Sequence, residues 1–323
     1  MRRTPQNLLV FALDQMAWLL VILFYACFVA LKPGAMLSPD TGRFILYSSI
    51  PLGFLVVAES IPLITGNFDL SIGQATGLVA MATGYVLMRN PSLNPAIAFV
   101  MPFVFGALCG TLNGFLVGIL NLNPFLSTLG TFLLFDGLTL MIHPQSIWGI
   151  DLPKYYTTFG GTDYTAIIFF IATLIVLGLA LKYTGIGIHI YATGGDKESA
   201  AMLGIRTNRV VFLAYTLAGF FSGASALVYV GFVNGVPLNL ADSSIFSAFA
   251  GAVIGGISIT GGTGSVVNSF AGCLVVGILE AGLTMFAISP ELRKASTGLL
   301  VIFAILLDRV RINYRDRLLR PQE

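Results

Sequence analysis

Few residues in this chain have the means to do chemistry, and four of them are acids set inside apolar runs: Glu59, Asp69, Asp136 and Glu280. An ionisable group within a membrane-spanning segment is costly and marks a functional position by default, so each is a candidate for lining a solute path. Each also has a structural alternative. Glu59 precedes Pro62 by about one helical turn, where neighbouring donors can satisfy it. Asp69 lies in the Gly-rich interval TGNFDLSIGQA at 65–75 and can cap a helix beginning near Ser71 by accepting from its orphan amides. Asp136 and Glu280 can pair with groups on neighbouring helices. Amides such as Asn67, Gln74, Asn113, Asn121, Asn123, Asn234, Asn239 and Asn268 suit an uncharged hydroxylated solute better than an ion. The candidate path residues are therefore Glu59, Asn67, Asp69, Ser71, Gln74 and Asn113.

Covalent chemistry is not expected. The two histidines, His143 and His189, fall in separate loops, so neither a zinc site nor a Ser-His-Asp constellation can be built from them. Gly261–Ser265 reads GGTGS, with the glycines of a phosphate loop but without its lysine, so the chain cannot hydrolyse ATP alone. Cys27, Cys109 and Cys273 lie in apolar runs without pairing or metal-ligand spacing and read as packing residues. No catalytic residue, metal or cofactor of the chain's own is expected, and it reads as a non-enzyme.

These residues are positioned by membrane helices. Hydrophobic residues make up 56% of the chain and charged residues 10%, where a soluble domain carries roughly 25% charged residues; mean hydropathy is +0.88. The apolar runs are continuous rather than alternating, which excludes an outer-membrane barrel and predicts an all-α polytopic membrane protein. Ten candidate spans follow: Met16–Leu31, Phe44–Ile64, Ser71–Met88, Ala96–Leu120, Phe125–Ile142, Tyr164–Leu181, Val210–Phe232, Ser244–Ile259, Val266–Ile288 and Ala295–Leu307. The first is read as a retained helix, because no small-residue cleavage site follows it. Gly-rich intervals at 65–75 and 255–265 predict broken or re-entrant segments, and their likeness raises an internal repeat of the kind that places substrate at paired breaks.

Lys and Arg excess marks the cytoplasmic side. With ten spans and both termini inside, the cytoplasm receives Arg2, Arg3, Lys182, Lys197, Arg206, Arg209, Arg309, Arg311, Arg315, Arg317 and Arg320, which is 11 of the 17 basic residues. The outside receives Lys32, Arg43, Arg89, Lys154, Arg293 and Lys294. The chain is thus expected to be one transmembrane domain over 1–323, with a cytoplasmic loop at 182–209 and a basic cytoplasmic tail at 308–323. Gly106, Gly110, Gly114 and Gly118 recur every four residues, predicting a close helix–helix seam. Within the loop, Gly194, Gly195 and Asp196 turn the chain and cap a short helix carrying Ala200, Ala201 and Gly204 on a small-residue face. Such a face fits a groove on a partner protein or lies flat on the membrane.

Three stretches carry a family resemblance. GIGIHIYATGGDKESAAMLGI resembles the cytoplasmic coupling loop of the permease subunits of bacterial ABC importers of the ribose, xylose and galactofuranose type. NFDLSIGQ at Asn67–Gln74 resembles that family's Gly-Ile-Asp-Leu-Ser-Val-Gly-Ser signature, and AVIGGISITGGTGSVVNSFAGCLVVGILEAGL at Ala252–Leu283 resembles its third signature. The resemblance covers the chain from about Phe44 to Asp308. It implies an inner-membrane subunit of about ten helices, paired with a second permease as homo- or heterodimer. Cytoplasmic ATPase subunits bind the ATP and Mg, and a periplasmic or lipoprotein solute-binding protein delivers the solute.

By this resemblance Gly194, Gly195, Asp196, Ala200, Ala201, Gly204 and Ile205 contact the ATPase, while Asp69, Leu70, Ser71 and Gly73 lie near the translocation path. The implied function is sugar import, that is, entry of a simple sugar or related polyhydroxylated solute. The alternatives are a nucleoside or a signalling furanose, and an ATP-independent channel or secondary carrier. Departures fall at Asn67-Phe68, where Gly-Ile is usual, at Gln74 for Ser, at Asp136 for a common arginine, and through LADSSIFSAFAG at Leu240–Gly251. They leave the exact solute open.

Overall fold

The computed structural model describes residues 15–161 and 164–319, with side chains to 313. Arg2, Arg3, Asp163 and Arg320 lie outside the described residues, as do the side chains of Arg315 and Arg317, so the two basic termini are not placed by it.

A helix stands at each of the ten expected spans. They are α1 (Met16–Leu31), α2 (Pro39–Ile64), α3 (Ile72–Arg89), α4 (Pro95–Ile119, ending in a wide turn from Phe115), α5 (Pro124–Ile142) and α6 (Thr165–Tyr183). Two loop helices follow, α7 (Gly185–Gly195) and α8 (Lys197–Met202). Then come α9 (Thr207–Val233), α10 (Ser244–Ile254), α11 (Val266–Met285) and α12 (Pro290–Leu319). Among the described residues six are long and apolar enough to cross a membrane: α2, α4, α5, α6, α9 and α11. Four of the helices start on the same device. Ser38, Asn94, Asn123 and Ser289 each stand before a proline, accepting respectively from the amides of Thr41, Ala96, Leu126 and Leu292. A polar N-cap followed by a proline whose missing N–H is not needed is a strong helix start.

One expected span is corrected. Ser244–Ile259 is helical only to Ile254, and 11 residues rise about 16 Å, half a bilayer. Gly255 and Gly256 end the helix there, Gly256 in the left-handed region at φ 97°. The last span is longer than expected, reaching from Pro290 to Leu319 rather than from Ala295 to Leu307.

The centre of the bundle is α2, with α9 and α11 beside it. In its most apolar window α2 is 78% buried, against 22% for α5, which separates core from periphery. The glycine stripe of α4 finds its partner in α9. A Cβ on Gly106 or Gly110 would strike the backbone of Gly219, Gly223 or Tyr215, and one on Gly114 or Gly118 would meet Phe212. This is the seam expected from the four-residue spacing, and Gly219 and Gly223 are the half that spacing alone did not reveal.

Contacts between loops gather at two ends. At the strand end, Ile147–Trp148 pairs antiparallel with Gly235–Val236, Tyr155 donates to Leu93 O at 3.1 Å, and Lys32 donates to Met285 O at 2.7 Å. At the glycine end, Gly262 N donates to Ile64 O at 2.8 Å and Tyr191 donates to Gly264 O at 2.9 Å.

Candidate functional site

Three segments widely separated in sequence meet at the glycine end. The end of α2 at Ile64, the Gly194-Gly195 pair closing α7, and the loop Gly261-Gly262 between α10 and α11 touch backbone to backbone. A Cβ on Gly194 would strike Ile64 O and sit 2.7 Å from Gly262 N. One on Gly261 would sit 2.7 Å from Gly66 N and 2.8 Å from Gly194 O. Only glycine admits this approach. The two breaks whose likeness suggested a repeat are therefore in contact with each other.

From Gly194 the loop turns outward. Asp196 caps α8, its carboxylate accepting from the amides of Glu198 and Ser199, both at 3.0 Å, and from the Ser199 hydroxyl at 3.0 Å. The Ser199 amide is the chief cause that holds this carboxyl below the usual carboxylate range. Gly204 closes the helix in the left-handed region at φ 86°, donating to Ala201 O at 2.9 Å, while Ile205 N reaches Ala200 O at 3.1 Å. The expected contact residues divide in two. Gly195, Asp196, Ala201 and Gly204 face outward, whereas Ala200 is buried and Gly194 and Ile205 are half-buried against the bundle. Sequence reasoning missed the most exposed pair, Met202 at 81% and Leu203 at 82%. The signal was present as two adjacent large apolar residues on an otherwise small or polar helix.

The break at 65–71 folds back from Ile64 into the bundle and is held by a polar cluster. Asp69 Oδ1 accepts from Ser71 N at 2.9 Å and Ser71 Oγ at 2.7 Å. Asn113 Nδ2, from α4, lies 2.6 Å from Ser71 Oγ and 3.3 Å from each Asp69 oxygen. Thr131 of α5 donates to Asn113 Oδ1 at 2.7 Å, Thr128 accepts from Leu70 N at 3.2 Å, and Tyr215 of α9 donates to Phe68 O at 2.8 Å. Asp69 thus accepts the amide of Ser71, the residue ahead of α3, and not an amide of the helix's first turn, so it does not cap α3 in the way expected. Asn67 is half-buried and donates to Thr65. Glu59 is fully buried, and neither carboxylate oxygen has a hydrogen-bond partner.

A separate cavity of about 650 Å³ opens between α10, α11 and α12. Its polar wall is Asp242, Ser243, Ser247, Glu280, Arg293 and Lys294, with Phe246 beside them. Gln74 and Asp136 approach Asp242 from α3 and α5. The start of α10 lies deep, since a Cβ on Gly73 would meet Ala241 O at 2.7 Å. None of the six expected path residues lines this cavity; Gln74 comes nearest, hydrogen-bonded to Asp242 behind its wall. Asp69, Ser71 and Asn113 are bonded to one another instead, and Glu59 is enclosed. Asp242, Ser243 and Ser247 went unassigned, although the polar run Asp242-Ser243-Ser244 interrupts an apolar stretch. Among the described residues no group of His, Cys, Asp and Glu could hold a metal ion.

Known proteins match most of this chain. The family described as "Branched-chain amino acid transport system / permease component" matches residues 43–305. The chain is 29% identical over 296 residues to the Autoinducer 2 import system permease protein LsrC of Enterobacter sp. (strain 638), covering 90% of this chain and 85% of that protein. It is 30% identical over 296 residues to the Autoinducer 2 import system permease protein LsrD of Escherichia coli (strain SMS-3-5 / SECEC), with 89% of each covered. Over 269 residues it is 29% identical to the probable ABC transporter permease protein y4mJ of Sinorhizobium fredii (strain NBRC 101917 / NGR234), covering 82% of this chain and 80% of that protein. No solved structure matches.

Proposed function

We propose, for a chain that belongs to the branched-chain amino acid transport system / permease component family, that the glycine end is the entry point for work done by a partner ATPase. Membership makes the chain the permease subunit of a bacterial ABC importer, a multi-pass membrane protein and not an enzyme. The proposal adds direction. Ten crossings place both termini and the 182–209 loop in the cytoplasm, together with the majority of the basic residues, and the strand end faces out.

On this reading an ATPase subunit seats on the outward face formed by Gly195, Asp196, Ala201, Met202, Leu203 and Gly204. The observation that carries the reading is the backbone contact of Gly194 with Ile64 and Gly262. A push on α8 acts through α7 directly on the end of α2 and on the loop joining α10 to α11. Both lead to the cavity, α2 through the 65–71 break and α3, and the second loop through α10, whose deep end carries Asp242. The Asp69–Ser71–Asn113 cluster, with Asn67 and Glu59 close by in the same region, holds the break. The cavity wall, with Gln74 behind it, forms the solute path. The path is completed by a second permease, and a solute-binding protein delivers to it.

The solute proposed is a simple sugar or related polyhydroxylated compound, since the cavity offers hydroxyls, carboxylates and cations beside one aromatic face. A second reading, nucleoside or signalling-furanose import, gains support from relatives named for autoinducer 2 import, which makes autoinducer 2 itself the first compound to try. Those relatives carry two permease names for one named system, which favours a heterodimer.

The test is ATP-driven uptake in proteoliposomes with Ala201→Glu and Gly204→Arg, which put charge or bulk on the outward face. Both are expected to lose uptake and ATPase association while still inserting. Unchanged uptake and co-purification with both would end the docking assignment. Uptake by the isolated chain without ATP would instead support a self-sufficient carrier.

A further inference from the structure

We propose that the cleft between α7 and the start of α9 binds the headgroup of an anionic phospholipid. The cleft measures about 310 Å³ and carries His189, Arg206 and Arg209 above a floor of Ile186, Val210 and Leu213. No acidic side chain lines it. Arg206 and Arg209 are exposed, and among the described residues neither side chain has a hydrogen-bond or ion-pair partner.

Their placement makes this unusual. Arg206 stands at the N-cap position of α9 and Arg209 in its first turn, where the helix dipole is already positive and further cations are disfavoured. Positive charges gathered at the positive end of a helix, with no carboxylate in the cleft's lining and none paired with them among the described residues, call for an anion from outside the chain.

The apolar floor narrows the source. Ile186 is 54% exposed and follows closely on the last residue of spanning helix α6, Tyr183, so the cleft sits at the boundary of the bilayer. Basic clusters beside spanning helices at that depth recruit anionic headgroups, and the exposed Ile186, with half-buried Leu213 beside it and buried Val210 beneath, is where acyl chains would lie. The opposite flank of α7 serves as an internal control. The cleft there is larger, about 970 Å³, but is rimmed by the single cation Lys182. A lipid phosphate shared by His189 on α7 and the two arginines on α9 would tie the loop helix to the spanning helix it rests against.

The test uses the purified full chain, titrated with phosphatidylglycerol and with phosphatidylcholine and read by native mass spectrometry. It needs neither the membrane orientation nor an ATPase, so it succeeds or fails independently of the transport proposal. Phosphatidylglycerol is expected to bind in preference to phosphatidylcholine. The double variant Arg206→Gln/Arg209→Gln is expected to bind phosphatidylglycerol roughly 25-fold more weakly, at about fivefold per cation near an anionic headgroup, with phosphatidylcholine unchanged. Arg206→Lys/Arg209→Lys keeps the charge and stays within about threefold of the parent, and Lys182→Gln within about twofold. No preference in the parent chain, unchanged phosphatidylglycerol binding in the glutamine variant, or equal loss of both lipids would overturn the site. So would a glutamine variant that keeps the lipid but loses a co-purifying ATPase, since the arginines would then belong to a protein interface.

Discussion

The glycine end and the charged cavity are built on opposite principles. At the glycine end, Ile64, Gly194 and Gly262 meet through backbone atoms, with no side chain interposed. In the cavity, Asp242, Glu280, Arg293 and Lys294 present charged side chains across open space. Close-packed backbone is stiff and transmits displacement, because a packed contact shifts rather than compresses. Charged side chains around a void can adjust to a solute and exchange partners with it. A permease that receives work at one place and handles solute at another has use for both.

Five substitutions sharpen or break that contrast. The largest effect is expected at Gly262→Val, whose added side chain would be driven into Gly195; overpacking at such a contact is expected to cut ATP-driven uptake by on the order of tenfold or more. Unchanged uptake would show that the contact is not under strain during transport.

Next are Asp242→Asn and Lys294→Gln in the cavity. Loss of a charged partner is expected to raise the KM for uptake by about three- to tenfold, while ATP turnover without solute stays as before. A change in basal turnover, with KM unmoved, would shift these residues from the solute path to coupling.

Asp69→Asn keeps the shape of the polar cluster but replaces one carboxyl oxygen, an acceptor from Ser71 and Asn113, with an NH2 donor, and roughly a threefold loss of uptake is expected. Smallest of the five is Glu59→Gln, since neither oxygen has a hydrogen bond to lose; uptake within about twofold of the parent is expected.

Protonation should not interfere at the docking face. Asp196 has its carboxyl held below the usual range, so its capping of α8 is complete above the ordinary carboxylate pKa and is lost only as pH falls through the depressed value. ATPase association is therefore expected to be flat from about pH 5 to 8. A fall across that range in pull-down experiments would point to another titrating group.

The sequence made the spans legible because apolar length has few other readings, and the four-residue glycine stripe announced a seam before its partner was known. The capped turn at Gly194–Asp196 was equally readable, since Asp and Gly there have local reasons to be where they are. What could not be read was set by contacts distant in sequence. Nothing near Gly262 says that it lies against Ile64 and Gly195. The half-length of α10 was only partly legible: the Gly-rich interval 255–265 reads as a break, but the residue that ends the helix is set by the left-handed backbone at Gly256, which the apolar run through Ile259 conceals. The path residues were mixed for a related reason. A buried acid in a polar cluster and an acid facing a cavity have the same local sequence, so Asp69 was named and Asp242 was not. The helix starts at Ser38-Pro39, Asn94-Pro95, Asn123-Pro124 and Ser289-Pro290 were readable in principle and mark four spans to within a residue.

The central claim is that force enters through backbone contact at Gly194, and its neighbour supplies the control. A Cβ on Gly194 would strike Ile64, whereas one on Gly195 would meet nothing within 4 Å. ATP-driven uptake in proteoliposomes, normalised to bound ATPase, should fall by about tenfold or more for Gly194→Ala and by less than about twofold for Gly195→Ala. Equal uptake by the two variants, with both fully assembled, would contradict the account.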